Sequence, residues 1–375
     1  MKKYLTSFIL LIVLFSSVHG QSKSDSTFHS IEDALKDPTN VKSLDLSEKN
    51  LIELPVEILQ LKNLEDIDLE ANPKLDFGKT LKLLSKLNNL KMLGLGRNEL
   101  SHVPISISYF KNLEYLGLED NKFTDIPKSV RKLKIKTLYL FSNNIKKLNL
   151  KNGDLLSLQD INLCYNKFKR FPIELAALPE LKQITIWYNN IHLITTEISK
   201  FKNIDSINMD NNDLCKIPLQ FALLKKLHHL SIRNNHLTSK SVNAVYHIMS
   251  LKSLGLDGNN ILTISPQIKN LKNLTYFNIS SNPVRNLPSE FTSLKKLKVL
   301  GLNDLPELDW IRTFSLLASL PELRMIGMSG IRVKIMPVGF EKLTQVRSFW
   351  LPKNSMNKEE HERIKKLLPN VNLGF

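Results

Sequence analysis

The sequence predicts an α/β solenoid, a curved horseshoe with a parallel β-sheet on its concave side and short helices or turns on its convex side. Three observations predict it. One apolar pattern recurs along nearly the whole chain, usually every 23 residues, as from Leu158 to Leu181 to Ile204. Within the first six residues of each copy, apolar and polar residues alternate, the period of a strand with one buried face. An asparagine then follows at the ninth position in most copies, for example Asn98, Asn121, Asn143 and Asn166.

The repeat is plain when segments are compared: LEYLGLEDNKFTDIP from Leu113, LQDINLCYNKFKRFP from Leu158, IDSINMDNNDLCKIP from Ile204 and LTYFNISSNPVRNLP from Leu274. All fit L-x-x-L-x-L-x-x-N-x-L-x-x-L-P, with other apolar residues replacing some leucines. Repeats start at Val41, Leu64, Leu90, Leu113, Ile135, Leu158, Leu181, Ile204, Leu227, Leu251, Leu274, Leu297, Leu323 and Val346, which makes fourteen, and a half-repeat follows from Leu368. The pattern resembles the leucine-rich-repeat family, in particular its LP-containing subclass of about 23 residues per repeat in bacterial exported proteins. The resemblance spans Val41 to the C-terminus. It implies the fold and leaves the ligand open, because the matched positions are structural.

Each part of the chain has its own reason. Residues 1–20 read as a secretory signal peptide: Lys2 and Lys3 precede an apolar stretch from Leu5 to Phe15, and small residues Ser16, Ser17 and Gly20 follow. The competing reading is an uncleaved N-terminal anchor. Residues 21–40 form an N-terminal capping segment, with Ser30 as the N-cap of a short helix and Asp33 three residues on. Residues 41–354 hold the fourteen repeats. Inside each, the strand's inward residues build the core, the ninth-position Asn satisfies neighbouring loop backbone, and the Leu-Pro step stops the strand before a helical return. Repeats two and twelve are three residues longer than the usual 23 and carry helical apolar spacing, as does SKSVNAVYHIMS in repeat nine. Repeat twelve has Leu305, and repeat thirteen Ile331, in place of the Asn. Residues 355–375 supply a C-terminal capping helix and the half-repeat, since a solenoid must cover its end faces.

The chemistry-bearing residues argue against an enzyme. There is no Gly-rich phosphate loop, no H-E-x-x-H, no G-x-S-x-G and no clustered Cys/His spacing, so no catalytic residue, metal or cofactor is expected. The only cysteines, Cys164 and Cys215, stand at different repeats and different positions, so both are expected as free thiols. The net charge of +16 is spread as one or two lysines per repeat, which suits a solvated outer face better than a nucleic-acid stripe.

Outward residues occupy the third, fifth and seventh positions, with the eighth at the strand's exit. The seventh gives Glu119, Phe141, Cys164, Trp187, Asp210, Arg233 and Asp257; the eighth adds Tyr165 and Tyr188, the fifth Tyr139, the third Tyr115. Six aromatics therefore gather on repeats four to seven, where neighbouring repeats carry small or polar residues. One reading is mutual packing that stiffens the sheet; the other is an exposed binding patch. Acidic residues gather in the first eight repeats and bases dominate the last three. The expected function is a non-enzymatic, monomeric recognition module for a protein or peptide, using Tyr115, Glu119, Tyr139, Phe141, Tyr165, Trp187, Tyr188, Asp210 and Arg233. The alternative is a carbohydrate, stacked on the same aromatics. Neither nucleic acid nor a membrane span in the mature chain is expected. The expected location is outside the cell or in the cell envelope.

Overall fold

The computed structural model describes residues 27–374, so the signal-peptide assignment to residues 1–20 and the start of the capping segment lie outside the described residues. Two compact units are present: one holds the chain up to Asn166 with Ala177–Glu180, the other Lys167–Ala176 and Leu181 onward. The N-terminal unit contains strands β1 (Thr27–Phe28), β2 (Ser43–Asp45), β3 (Asp66–Asp68), β4 (Met92–Gly94), β5 (Tyr115–Gly117), β6 (Thr137–Tyr139) and β7 (Asp160–Asn162). The C-terminal unit contains β8 (Gln183–Thr185), β9 (Ser206–Asn208), β10 (His229–Ser231), β11 (Ser253–Gly255), β12 (Tyr276–Asn278), β13 (Val299–Gly301), β14 (Met325–Gly327), β15 (Ser348–Trp350) and β16 (Asn372–Gly374). In each unit consecutive strands pair in parallel and in register, third position beside third, as in Tyr115↔Thr137 and His229↔Ser253. Every one of the fourteen repeats supplies one strand from its third to fifth positions. Two more, β1 and β16, come from the terminal segments.

The strands are short because hydrogen bonding outlives the extended conformation. The sixth-position N–H donates to the fifth-position carbonyl of the next repeat, and the eighth to the seventh, as in Leu46 to Asp68 at 2.8 Å and Glu48 to Glu70 at 3.0 Å. The side chains at positions one, four and six fill the interior. Leu64, Ile67 and Leu69 in one repeat, and Leu227, Leu230 and Ile232 in another, are fully buried. Each such side chain contributes about 1.5–3 kcal/mol by leaving water.

The return segments differ with repeat length. The usual repeats use a five-residue 3₁₀ helix directly after the Leu-Pro step, for example Val56–Gln60 after Pro55 and Leu219–Leu223 after Pro218, each burying one apolar side chain (Ile58, Phe221). The two longer repeats hold α-helices, Phe77–Leu84 and Trp310–Leu317, capped by Asp76 and Asp309. Repeat nine corrects the expectation of a longer helix: SKSVNAVYHIMS forms only a 3₁₀ turn over Asn243–His247. An α-helix advances about 1.5 Å per residue and a 3₁₀ helix about 2.0 Å. Repeat nine has a single residue beyond the usual 23, too few to span the return at the α-helical rise. The terminal helices, Ile31–Lys36 and Lys358–Leu367, are capped by Ser30 and Asn357, whose side chains accept from the N–H groups of Asp33 and Glu360.

Buried asparagines tie each repeat to the one before it. Asn212 donates through Nδ2 to the carbonyls of Ile186, Met209 and Asp210, and its Oδ1 accepts from the Ile191 N–H at 3.0 Å. Asn72, Asn121, Asn143, Asn166, Asn259 and Asn282 make the same set of bonds, and Asn235 makes all of them but the one to its own sixth-position carbonyl. Leu305 and Ile331 break the series and join the core, at 1% and 2% exposure. Asn354 resumes it with two Nδ2 bonds, to Met328 and Leu351, but its buried Oδ1 has no donor. Asn212→Leu is therefore expected to cost about 1–3 kcal/mol, because it strands the buried Ile191 N–H, whereas the Ile186, Met209 and Asp210 carbonyls keep their bonds from Asn189, Asn235 and Tyr188; Asn354→Leu strands no N–H and costs less. Urea titration of both variants checks the order.

Candidate functional site

Every eighth position in the fourteen repeats has a left-handed backbone: Glu48, Ala71, Arg97, Asp120, Ser142, Tyr165, Tyr188, Asn211, Asn234, Gly258, Ser281, Asp304, Gly330 and Lys353 all have positive φ. The turn is needed because the chain leaves the sheet here and the ninth side chain must swing into the core. Left-handed backbone favours Gly, Asn and Asp and costs a residue with a Cβ roughly 1–2 kcal/mol. That preference explains why most of these positions are small or polar. Tyr165 at φ 50° and Tyr188 at φ 52° carry this cost with a bulky ring, and each ring is 48% exposed. Neither is placed there by the core.

In the N-terminal unit the outward face carries Tyr115, Tyr139 and Phe141 beside Glu119. Tyr115 and Tyr139 meet edge to face at 5.3 Å between ring centres, and Tyr139 and Phe141 at 6.5 Å. Tyr139 is 8% exposed, and Tyr115 and Phe141 are half-buried. The expectation of six exposed aromatics is thus corrected: these three pack on one another, and of the four expected in this unit Tyr165 is the open ring. Edge-to-face pairs gain about 0.5–1.5 kcal/mol beyond their area, so bulky neighbours on a sheet face cover each other when they can. Cys164, expected on the outward face, is buried, whereas Cys215 is exposed, and neither is in a disulfide.

Glu119 lies over a floor of glycines. A Cβ on Gly117 would stand 2.8 Å from its Oε2, and one on Gly96 would stand 3.0 Å from its Cγ. Its Oε2 is shielded from water with no hydrogen-bond donor. Burial, with Glu70, Asp68 and Asp120 nearby, pushes its carboxyl up to about 7. Burial alone pushes Asp160 up to about 6.

In the C-terminal unit Trp187 and Tyr188 pack edge to face at 5.2 Å. Trp187 is half-buried, Tyr188 open. Asp210 and Arg233, also expected to contact ligand, are occupied by the fold. Asp210 Oδ1 accepts from the Ser231 hydroxyl at 2.6 Å and the Arg233 N–H at 2.8 Å. Arg233 Nε stands 3.1 Å from Asp257 Oδ1, and its Nη2 donates to the Tyr276 hydroxyl at 3.1 Å. Burial pushes Asp257 up to about 6 and raises Asp210 too, against the pull of Arg233. The seventh-position row Asp210, Arg233, Asp257 was visible in the sequence; the third-position Tyr276 that completes the network had no local signal. No group of Asp, Glu, His or Cys among the described residues has metal-binding geometry.

A family model described as leucine rich repeat matches residues 249–304. A solved leucine-rich-repeat protein of Leptospira interrogans is 25% identical, covers 93% of this chain and 99% of its own, and superposes with a TM-score of 0.67. The chain has the fold of leucine-rich-repeat proteins and carries a matching leucine-rich-repeat segment. An internalin of Listeria monocytogenes, 20% identical, shares the fold over 85% of this chain and 82% of its own (TM-score 0.54). So does the plant peptide hormone receptor RGFR1, solved in complex with RGF2: 20% identity, 88% of this chain, 62% of the receptor, TM-score 0.50. No curated protein gives a match.

Two outcomes follow from this leucine-rich-repeat geometry. Tyr188→Asn is expected to hold or raise the melting temperature, since Asn tolerates left-handed backbone. A clear loss of stability on calorimetry would mean that the ring is structural. Glu119 is a carboxyl raised on folding, so the folded chain binds more protons and stability falls as pH rises from about 4.5 to about 7. Glu119→Gln removes that loss. Relative to wild type, it should be more stable at pH 8 than at pH 5, by roughly 1–3 kcal/mol, by denaturant titration at both pH values.

Proposed function

We propose that this chain is an exported recognition module that binds a protein or peptide on the strand face of its repeats. The observation that carries the reading is the pair of exposed tyrosines in left-handed backbone, Tyr165 and Tyr188. Strained positions persist where function holds them, and Trp and Tyr are enriched among residues that dominate interface energy. In the C-terminal unit Trp187 backs Tyr188; in the N-terminal unit the Tyr115–Tyr139–Phe141 stack borders the glycine-floored Glu119. Asp210 and Arg233 support this face from within. The plant receptor solved with RGF2 adds support by likeness of fold. A binding module also suits a family built of repeats with no further catalytic segment among the described residues. No helix among them is long and apolar enough to cross a membrane. Export rests on residues 1–20, and we propose a monomer in the cell envelope or outside the cell.

Trp187→Ala is expected to weaken the complex by about 2 kcal/mol or more, roughly thirtyfold in Kd, with little change in melting. Ile186→Ala, one residue earlier and fully buried, should leave the face intact and destabilise the fold by about 2–5 kcal/mol. Calorimetric titration with a partner recovered by photocrosslinking at position 188, beside thermal melts, separates the two. A glycan array bound through Tyr188, with no protein crosslinked, would favour the carbohydrate reading instead.

A further inference from the structure

The second position of each repeat, just ahead of the strand, forms a row along each unit, because its carbonyl accepts from the second-position N–H of the next repeat. In the N-terminal unit this row neutralises itself. Lys91 pairs with Glu65 at 2.6 Å and Lys136 with Glu114 at 2.8 Å. In the C-terminal unit Lys182 comes first, and Asp205 then stands against His228. The row then turns basic and stays so: Lys252, Thr275, Lys298, Arg324, Arg347. Lys298 has only Glu322, at 3.9 Å, and the Lys252 ammonium and Arg347 guanidinium make no hydrogen bond or ion pair among the described residues.

The row ends in a cleft of about 430 Å³ lined by Arg324, Thr344, Gln345, Arg347 and Asn370, with no acidic residue in its wall. Arg324 is already positioned there: its Nη1 donates to the carbonyls of Pro321 at 2.8 Å, Leu323 at 3.1 Å and Gln345 at 3.3 Å. Its Nε and Nη2 are left for another acceptor. Arg347 sits one strand over, roughly 4.8 Å along the sheet. Two neighbouring guanidiniums with no carboxylate between them repel, and a carboxylate bridging both is the simplest relief.

We propose that this basic row and its terminal cleft bind an acidic segment of a polypeptide partner, with a carboxylate held between Arg324 and Arg347. The surface is separate from the aromatic face and does not depend on it. Four strand spacings from Lys252 to Arg347 span roughly 19 Å, which an extended peptide covers with about six residues at 3.3 Å each. A peptide fits better than a nucleic acid. The third-position neighbours are Tyr276, 9% exposed, then Val299 and the 37%-exposed Met325, so bases find no open aromatic to stack on while apolar side chains find a strip.

The test is fluorescence anisotropy of the full chain with an end-capped hexaglutamate peptide, at low and physiological ionic strength, against a single-stranded oligonucleotide of equal charge. Arg324→Ala/Arg347→Ala is expected to weaken hexaglutamate binding by about tenfold or more, the scale of one lost charge-assisted pair. Lys146→Ala/Lys147→Ala, two exposed lysines in the N-terminal unit, removes the same charge and should change it less than about twofold. Arg347→Ala alone, whose guanidinium holds nothing in the fold, should cost several-fold and guards against misfolding of the double variant. Arg324→Lys/Arg347→Lys should lie between, since it keeps charge but loses the planar fork. The proposal is overturned by absent hexaglutamate binding, by equal losses in the two alanine pairs, by wild-type affinity in the lysine pair, or by tighter binding of the oligonucleotide.

Discussion

The structure depends on one recurring event, the turn at the eighth and ninth residues of each repeat. There the backbone takes a left-handed step and, in most repeats, an asparagine swings inward, as at Asp120–Asn121 and Asn211–Asn212. The asparagine side chain then stands in for the missing sheet, bonding carbonyls of its own turn, a carbonyl of the preceding repeat and that repeat's N–H. Without it, a repeat that carries one would bury an unpaired N–H, at about 1–3 kcal/mol, and leave carbonyls short of a donor. With it, the chain can leave the sheet after three strand residues and still stay paired to its neighbour. Apolar filling follows from this frame, since the inward positions are presented at one fixed depth in every repeat.

That constraint also gives the candidate site its meaning. A position held left-handed by the fold tolerates glycine, asparagine or aspartate at least cost, and in the proposed function the tyrosines held there serve a ligand. Tyr165 and Tyr188 meet that description, and their exposure agrees with it. By contrast, Tyr115, Tyr139 and Phe141 stand on ordinary strand backbone and gain from one another. The two groups of aromatics look alike in sequence and differ in what keeps them.

Charge is handled differently along the same frame. Outward seventh positions bury Asp210, Arg233 and Asp257 as one connected network, where the two carboxylates share one guanidinium and carry raised carboxyl affinities for protons. Second positions instead stay near solvent, where pairs are worth little and imbalance is cheap. A solenoid can therefore keep an unbalanced basic row at its edge without loss of stability.

The repeat length, the strand positions, the asparagine series, the capping residue Ser30 and the longer helices of repeats two and twelve were legible in the sequence. Each rests on local chemistry or on a period that many copies repeat. The turn at Asn243–His247 was misjudged because apolar spacing cannot tell an α-helix from a 3₁₀ turn when the distance to be spanned is unknown. The burial of Tyr139 and Cys164 and the engagement of Arg233 by Tyr276 were decided only in three dimensions. The Tyr115–Tyr139 and Arg233–Tyr276 contacts join residues of different repeats, and their partners are set by which side chains the parallel register brings side by side.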